Sequence, residues 1–197
     1  MAHLPKQLRA MKRILILLLV LMPLAIHAQD YKYIDFSQTS EDFTRVVTKE
    51  QTITNNGFDY ELRFCYSKFE YSEMYYVVLI CTAPYQWEIH TGDKATFTMA
   101  DGSQVILNAY MDSTCQKPED EYIIAAAYKI PTLQVTNMLN AILSLTLERH
   151  MNGKAQQLTI PVNHDMASHL MLAYLELLTI TGKQKKEGVN HPLLFTT

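Results

Sequence analysis

Glycine is scarce in this chain, with six residues in 197. That leaves little material for a Gly-rich phosphate loop, and neither such a loop nor a GxSxG nucleophile elbow is present. Cysteine is also sparse, and the count of three is odd. An odd number argues against a disulfide framework, and no CxxC marks a redox pair or a zinc knuckle. HExxH is missing too. Beyond residue 28 the chain has no basic stripe, which excludes nucleic acid and anionic lipid as partners, since both require phosphate neutralisation by Lys or Arg. The one basic cluster, Lys183, Lys185 and Lys186, stands in a polar tail expected to be flexible over residues 183–197.

The N-terminus is rich in what the remainder lacks. Lys6, Arg9, Lys12 and Arg13 precede an unbroken apolar run from Ile14 to Met22, and a small residue, Ala28, follows. A basic region, a short apolar region and a small residue are the three parts of a secretory signal peptide, expected here over residues 1–28 with Gln29 as the new N-terminus. Met11 begins a tighter version of the same signal. The run is short for a membrane span, which needs about 20 apolar residues. An uncleaved anchor is the competing reading. No cysteine follows the run, so lipid attachment at the cleavage point is excluded. Cleavage removes four basic residues and no acidic one, leaving 13 Lys+Arg against 20 Asp+Glu and a net charge of −7 rather than −3. An acidic, exported protein of the periplasm or the extracellular space, without a stable membrane span, is the expectation.

Residues 29–182 read as one domain, and their dominant period is two. Asn56-Gly57 as a two-residue turn sets Ile53 opposite Tyr60, Gln51 opposite Leu62 and Glu50 opposite Arg63. Asp101-Gly102 read the same way pairs Phe97 with Ile106 and Thr98 with Val105, apolar on both faces in places, as if covered on both sides. Asn152-Gly153 pairs Leu147 with Leu158, Leu145 with Ile160 and Leu143 with Val162, which makes residues 139–149 a strand although their propensity suits a helix. Pro161 marks an edge or the end of a strand. Tyr75–Cys81 and Glu121–Ile130 are further strands, and a short helical turn fits residues 132–140. The fold class is mainly β (α+β): an antiparallel β-sandwich or partly open barrel of about eight strands. Register sets Cys65 and Cys81 about three residues, or ~10 Å, out of line in one hairpin, too far for a disulfide between them. Pairing of either with Cys115 stays open, as does the reading of three buried thiols.

A helix over residues 165–181 closes the domain, capped by Asn163 or Asp165 and ended by Gly182. Only Glu176 is charged between Met166 and Thr181. A helix so apolar around its circumference is covered on more than one side. Either it closes an open face of the sheet, the favoured expectation, or it forms a homo-oligomer interface.

Chemistry-bearing residues are scattered. His90, His150, His164, His169 and His191 remain after cleavage, and no two share a helical i,i+4 spacing. His164 and His169 read as solvent-facing residues near a helix start. The segment Asp112–Glu121 groups four carboxylates near Cys115, but its spacing fits no calcium loop, and a solvated connection explains it better. No cofactor and no metal site is assigned. The feature above background is aromatic: Tyr66, Tyr71, Tyr75, Tyr76, Tyr85 and Trp87 lie close together in sequence. Tyr85 and Trp87, on a loop after a core strand, are the candidate binding residues if they share an exposed rim. Trp87 folded back to plug the end of the sandwich is the competing reading.

Gly92–Tyr110 and Tyr128–Leu178 resemble small secreted β-rich proteins of Bacteroides-type bacteria, as does a leader ending in Ala28-Gln29. Arg149 stands where that group carries an arginine in the corresponding strand. The resemblance implies fold and export and brings no site residues. The expected function is therefore an exported, non-catalytic domain that binds a partner protein or a glycan. The alternatives are a secreted hydrolase with a motif-free site and a structural subunit of an envelope assembly.

Overall fold

The two Asn-Gly pairs make the turns their sequence demands. Asn56 and Gly57 have φ of 53° and 79°, and Asn152 and Gly153 have 52° and 72°. Positive φ at both central residues is the requirement of a type I′ turn, whose twist matches that of the strands it joins. β3 (Gln51–Asn55) and β4 (Phe58–Phe69) pair with Ile53 opposite Tyr60 and Gln51 opposite Leu62. Arg63 then forms ion pairs with Glu50 and Asp35. β10 (Ile142–Met151) and β11 (Lys154–Pro161) pair Leu147 with Leu158 and Leu145 with Ile160. The third expected pair is joined by a bond from Val162 N–H to Leu143 O at 2.8 Å, but its two side chains do not share a buried face. A register shift between Ile142 and Ser144 turns Ile142 inward and leaves Leu143 exposed.

The structure, a computed structural model, describes residues 31–40 and 42–182. The expected signal peptide and C-terminal tail lie outside the described residues.

The Asp101-Gly102 hairpin departs from its expected register by one residue. β6 (Lys94–Met99) and β7 (Gln104–Ala109) pair Phe97 with Val105 and Thr98 with Gln104. The Gly102 N–H donates to Met99 O at 3.0 Å, Met99 N–H donates to Ser103 O at 2.9 Å, and Gly102 has φ of 82°. This is a three-residue loop ending on a left-handed glycine, not a two-residue turn. Asp101 fixes it by accepting from Ser103 N–H at 2.9 Å. A slip of one residue exchanges the faces of a strand. Phe97 and Val105 are both buried, and Ile106 is exposed on a face expected to be covered.

Among the described residues the sheet is antiparallel and single, with eleven strands against about eight expected. The additional strands are β1 (Ile34–Thr39), β2 (Phe43–Thr48) and β8 (Thr114–Gln116). With β5 (Ser72–Ala83) and β9 (Tyr122–Ile130), the order is β1-β2-β4-β5-β9-β7-β6-β10-β11, β3 pairing with β4 and β8 with β9. Pro161 sits in the terminal strand β11, where the N–H it lacks is not needed for a second ladder. Two short 3-10 turns, Thr132–Gln134 and Thr136–Leu139, occupy the segment expected to be a helical turn.

Alternate residues of the long strands enter one core. Tyr60, Leu62 and Phe64 of β4, Val77 and Leu79 of β5, and Ile124 and Tyr128 of β9 are buried. The helix α1 (His164–Ile180) lies against β1 to β4 and β10. Asn163 caps it by accepting from Met166 N–H at 2.8 Å. Its buried stripe contains Ala167, Leu170, Ala173, Tyr174, Leu177 and Leu178. The Tyr174 hydroxyl donates to Val135 O at 2.7 Å, which satisfies its polar tip inside the core. Glu176 accepts from the N–H groups of Lys32 and Tyr33 at 3.0 and 2.6 Å and fastens the entry to β1. β11 comes against β3 from the other end of the sheet. No helix among the described residues is long and apolar enough to cross a membrane.

All three cysteines are free thiols. Cys65 faces Tyr76 and Cys81 faces Tyr60, five register positions apart rather than about three. Burial pushes the pKa of each of these two thiols up to about 12.

Candidate functional site

Beyond β5 the chain runs along the sheet before turning into β6. Glu88 forms a two-way bridge with His150, N–H to O at 2.9 and 2.7 Å. Strand alternation around it sends Trp87 and Ile89 inward and Glu88 and His90 outward. The chain then reverses over His90-Thr91-Gly92-Asp93. Asp93 N–H donates to His90 O at 3.0 Å, and Gly92, with φ of 93°, provides the left-handed position.

Hydrogen bonds to Ala109, Asp112 and Ser113 clamp this turn. Thr91 donates from its N–H and its hydroxyl to Asp112 Oδ1 at 2.7 and 2.8 Å. Those bonds hold the Asp112 carboxyl below the usual carboxylate range. Gly92 N–H donates to Ala109 O and Ala109 N–H to Asp93 O, while Ile89 exchanges bonds with Ser113. Asp112 is thus a brace for the turn. Among the described residues, the carboxylates of Asp112–Glu121 do not converge with other ligand-type groups.

The clamp holds His90 and Asp93, three residues apart in one turn, against His150, which is far away in sequence. His150 Nε2 lies 3.1 Å from Asp93 Oδ2 and 3.3 Å from Oδ1, while Asp93 Oδ2 accepts from His90 N–H at 2.7 Å. The His90 and His150 rings stack with centroids 4.1 Å apart and planes at 25°. His90 Nε2 lies 3.4 Å from Glu88 Oε2, and Glu88 Oε1 in turn accepts from Gln86 Nε2 at 3.1 Å. Side-chain exposure is 49% for His90, 23% for His150 and 17% for Asp93, so one ring is half-exposed and the other two groups are largely buried. The site opens on a cavity of ≈ 250 Å³ whose lining includes Trp87, Glu88, His90, His150 and Asn152. The Tyr128 hydroxyl is buried without a hydrogen-bond partner. Burial, and then the charges of Asp93 and Glu148, raise its pKa.

His90, Asp93 and His150 each offer one ligand-type atom, and these atoms all lie within 4.8 Å of one another. No linear motif announces the group, because His150 enters from the end of β10 and its partners from a turn in the β5–β6 connection. The pairing of β6 with β10, once known, is the signal that would have joined them. His164 and His169 are exposed on α1, His169 with its ring 6.0 Å from that of Tyr33.

The expected binding pair is divided. Trp87 is 2% exposed, and the Arg149 guanidinium lies over its ring at 5.5 Å from the centroid. Its indole face is therefore turned to the protein. Tyr85 is exposed and sits edge-on to Phe58 with centroids 5.8 Å apart. Among the described residues, the two most exposed aromatics are elsewhere, at the tip of the β4–β5 hairpin, ahead of Tyr110 at 52%. Tyr71 is 92% exposed and Phe69 55%, with the Phe69 ring 5.0 Å from that of Phe43. Comparison of the chain with protein-family models, with curated proteins and with solved structures found no match.

Proposed function

We propose that this chain is an exported, non-catalytic β domain that binds a partner protein through the tip of its β4–β5 hairpin. The observation that carries the reading is the exposure of Tyr71 and Phe69 on that tip. The two strands are twelve residues each, and β9 accompanies β5 only from Tyr75 onward. The last residues of the hairpin therefore have β2 alone beside them. Small-ligand sites are concave, whereas exposed aromatics on a projecting turn suit insertion into a pocket of another protein. Export to the periplasm or beyond is supported by the basic, apolar and small-residue order of residues 1–28, and by the resemblance to small secreted proteins of Bacteroides-type bacteria. The finer architecture proposed with it is a partly open barrel closed by α1, supported by the approach of β11 to β3.

A photo-crosslinking residue at position 71, introduced in the producing cell, tests the reading. One discrete crosslinked protein, lost when Phe69 is changed to Ala, is the expected result. A crosslinking pattern indifferent to Phe69→Ala overturns it. A glycan-array signal that depends on Tyr85 instead would transfer the reading to sugar binding. N-terminal sequencing of the same sample should find Gln29 first, and a chain retaining its leader in the cytoplasm removes export.

A second reading, a secreted hydrolase, draws on Glu88, His90 and His150 at one cavity, with Asp93 against His150. Turnover of ester or peptide substrates that disappears with His150→Ala would establish it. Assembly through α1 has less support, since Leu172 is the one large apolar residue that helix leaves exposed among the described residues. A monomeric solution mass overturns it.

A further inference from the structure

We propose that His90, Asp93 and His150 form a binding site for one divalent transition-metal ion of the zinc class. Nothing in the partner-binding reading requires this site, and the two stand or fall separately.

The argument starts from spacing. Zinc holds nitrogen and oxygen ligands at about 2.0–2.1 Å in a tetrahedron, which places adjacent ligand atoms roughly 3.3 Å apart. His150 Nε2 stands 3.1 and 3.3 Å from the two Asp93 oxygens. That separation serves a hydrogen bond, and it serves two ligands of one ion equally well. Both side chains are largely buried and their backbones fixed, His150 by the bridge to Glu88 and Asp93 by the bond from Ala109. Half of the site is therefore preformed, which lowers the ordering cost that metal binding otherwise carries.

The third ligand has to move. Imidazole binds a metal in the plane of its ring, and the planes of His90 and His150 are only 25° apart in a stack. Two near-parallel rings cannot aim their lone pairs at one point. His90 is the half-exposed member, with the cavity of ≈ 250 Å³ beside it, so it is the ring free to swing. Glu88, 3.4 Å from His90 Nε2, is placed to steady the ring as an outer partner. The opening toward solvent leaves room for water as a fourth ligand.

Donor chemistry selects the ion. Two imidazoles and one carboxylate suit zinc, copper(II) or nickel, whereas calcium and magnesium take oxygen donors. Among the described residues, no thiol joins this group, which removes the soft donor that favours copper(I).

Calorimetric titration of the purified protein with ZnCl2 is the test, with CoCl2 as the spectroscopic probe and CaCl2 as the comparison. One Zn2+ per chain, a tetrahedral Co2+ visible spectrum and no competition by Ca2+ are expected. Loss of an outer-shell partner typically weakens a metal site ~10- to 100-fold. Glu88→Gln should fall within that range, and loss of a direct ligand in His90→Ala or Asp93→Asn should be at least as severe. His90→Ala removes a half-exposed ring and leaves the Glu88–His150 backbone bridge in place, so its effect is separable from unfolding. His164→Ala with His169→Ala should leave the affinity unchanged. Unaltered Zn2+ affinity in His90→Ala overturns the site, as does Ca2+ displacing Zn2+ or a wild-type affinity weaker than millimolar.

Discussion

Two aromatic segments flank β5, and the fold treats them oppositely. Phe69 and Tyr71 precede the strand and project into solvent, whereas Trp87, a few residues beyond its other end, is enclosed. Composition does not separate them. The difference comes from what lies alongside. At the Trp87 end, Glu88 is bridged to His150, and the alternation of that short extended stretch forces its neighbours Trp87 and Ile89 inward. At the other end β9 stops opposite Tyr75, and the hairpin runs on past it. Trp87 is hidden, and Tyr71 offered, according to whether a neighbouring strand reaches it.

Trp87→Ala should have the largest effect, because it empties a filled position. Removing a buried Trp costs about 3–5 kcal/mol through lost transfer energy and the cavity left behind. Urea unfolding measures it, and a loss below ~1 kcal/mol would mean the segment is not part of the core at all. The same substitution should loosen the Glu88–His150 bridge, since Trp87 anchors the stretch that carries it.

Alkaline pH probes the buried side as a whole. Burial raises Cys65 and Cys81 from the ordinary thiol value of 9.0 to about 12, and Tyr60 from 10.0 to about 12. A group whose pKa is higher folded than unfolded favours the native state while both states are protonated. That contribution is complete below the unfolded pKa and disappears as pH rises through the folded one. Stability should accordingly fall from pH 9 for the thiols and from pH 10 for Tyr60, with the decline complete near pH 12. Chemical unfolding at stepped pH reads this, and a midpoint flat across that window would contradict the burial of these groups. Alkylation of native protein near neutral pH should leave Cys65 unmodified.

Arg149→Ala sharpens the comparison at the Trp87 end without emptying the core. A guanidinium over an indole contributes about 0.5–2 kcal/mol, depending on how far the pair is desolvated. This chain has one tryptophan, so its fluorescence reports the change directly. A red-shifted emission with a loss in that range is expected. An unshifted spectrum would mean that other atoms enclose the ring.

Sequence reading reached the elements whose information is local. Asn56-Gly57 and Asn152-Gly153 fix type I′ turns by their own φ requirement, and the register of two hairpins follows from them. Asp101-Gly102 carries an equally strong turn signal but closes a three-residue loop, and that one extra residue moved Ile106 from the expected inside to the outside. β1, β2 and β8 were not legible, because they are short, β2 does not alternate, and no turn glycine separates β1 from β2. The His90–Asp93–His150 group was less legible still. His90 and His150 are each unremarkable in their own stretch, and only the pairing of β6 with β10 makes them neighbours. Of the aromatics, Tyr71 was in view from the start, but nothing local says that a flanking strand stops short of it.

The smallest expected effect is the most telling for the proposed function. Tyr71→Ser removes a side chain that is 92% exposed, and surface changes of that kind usually alter stability by less than ~0.5 kcal/mol. Phe69→Ser should cost somewhat more, since its ring meets that of Phe43 at 5.0 Å and aromatic pairs contribute about 0.5–1.5 kcal/mol when well packed. With Phe69 itself 55% exposed, the lower end of that range applies, and Phe43→Ser should cost no more when Phe69 is already gone. A double variant that folds like the parent yet loses its crosslinked partner would place the role of these rings outside the domain's own stability. A double variant that unfolds would instead assign them to the core and erase the contrast with Trp87.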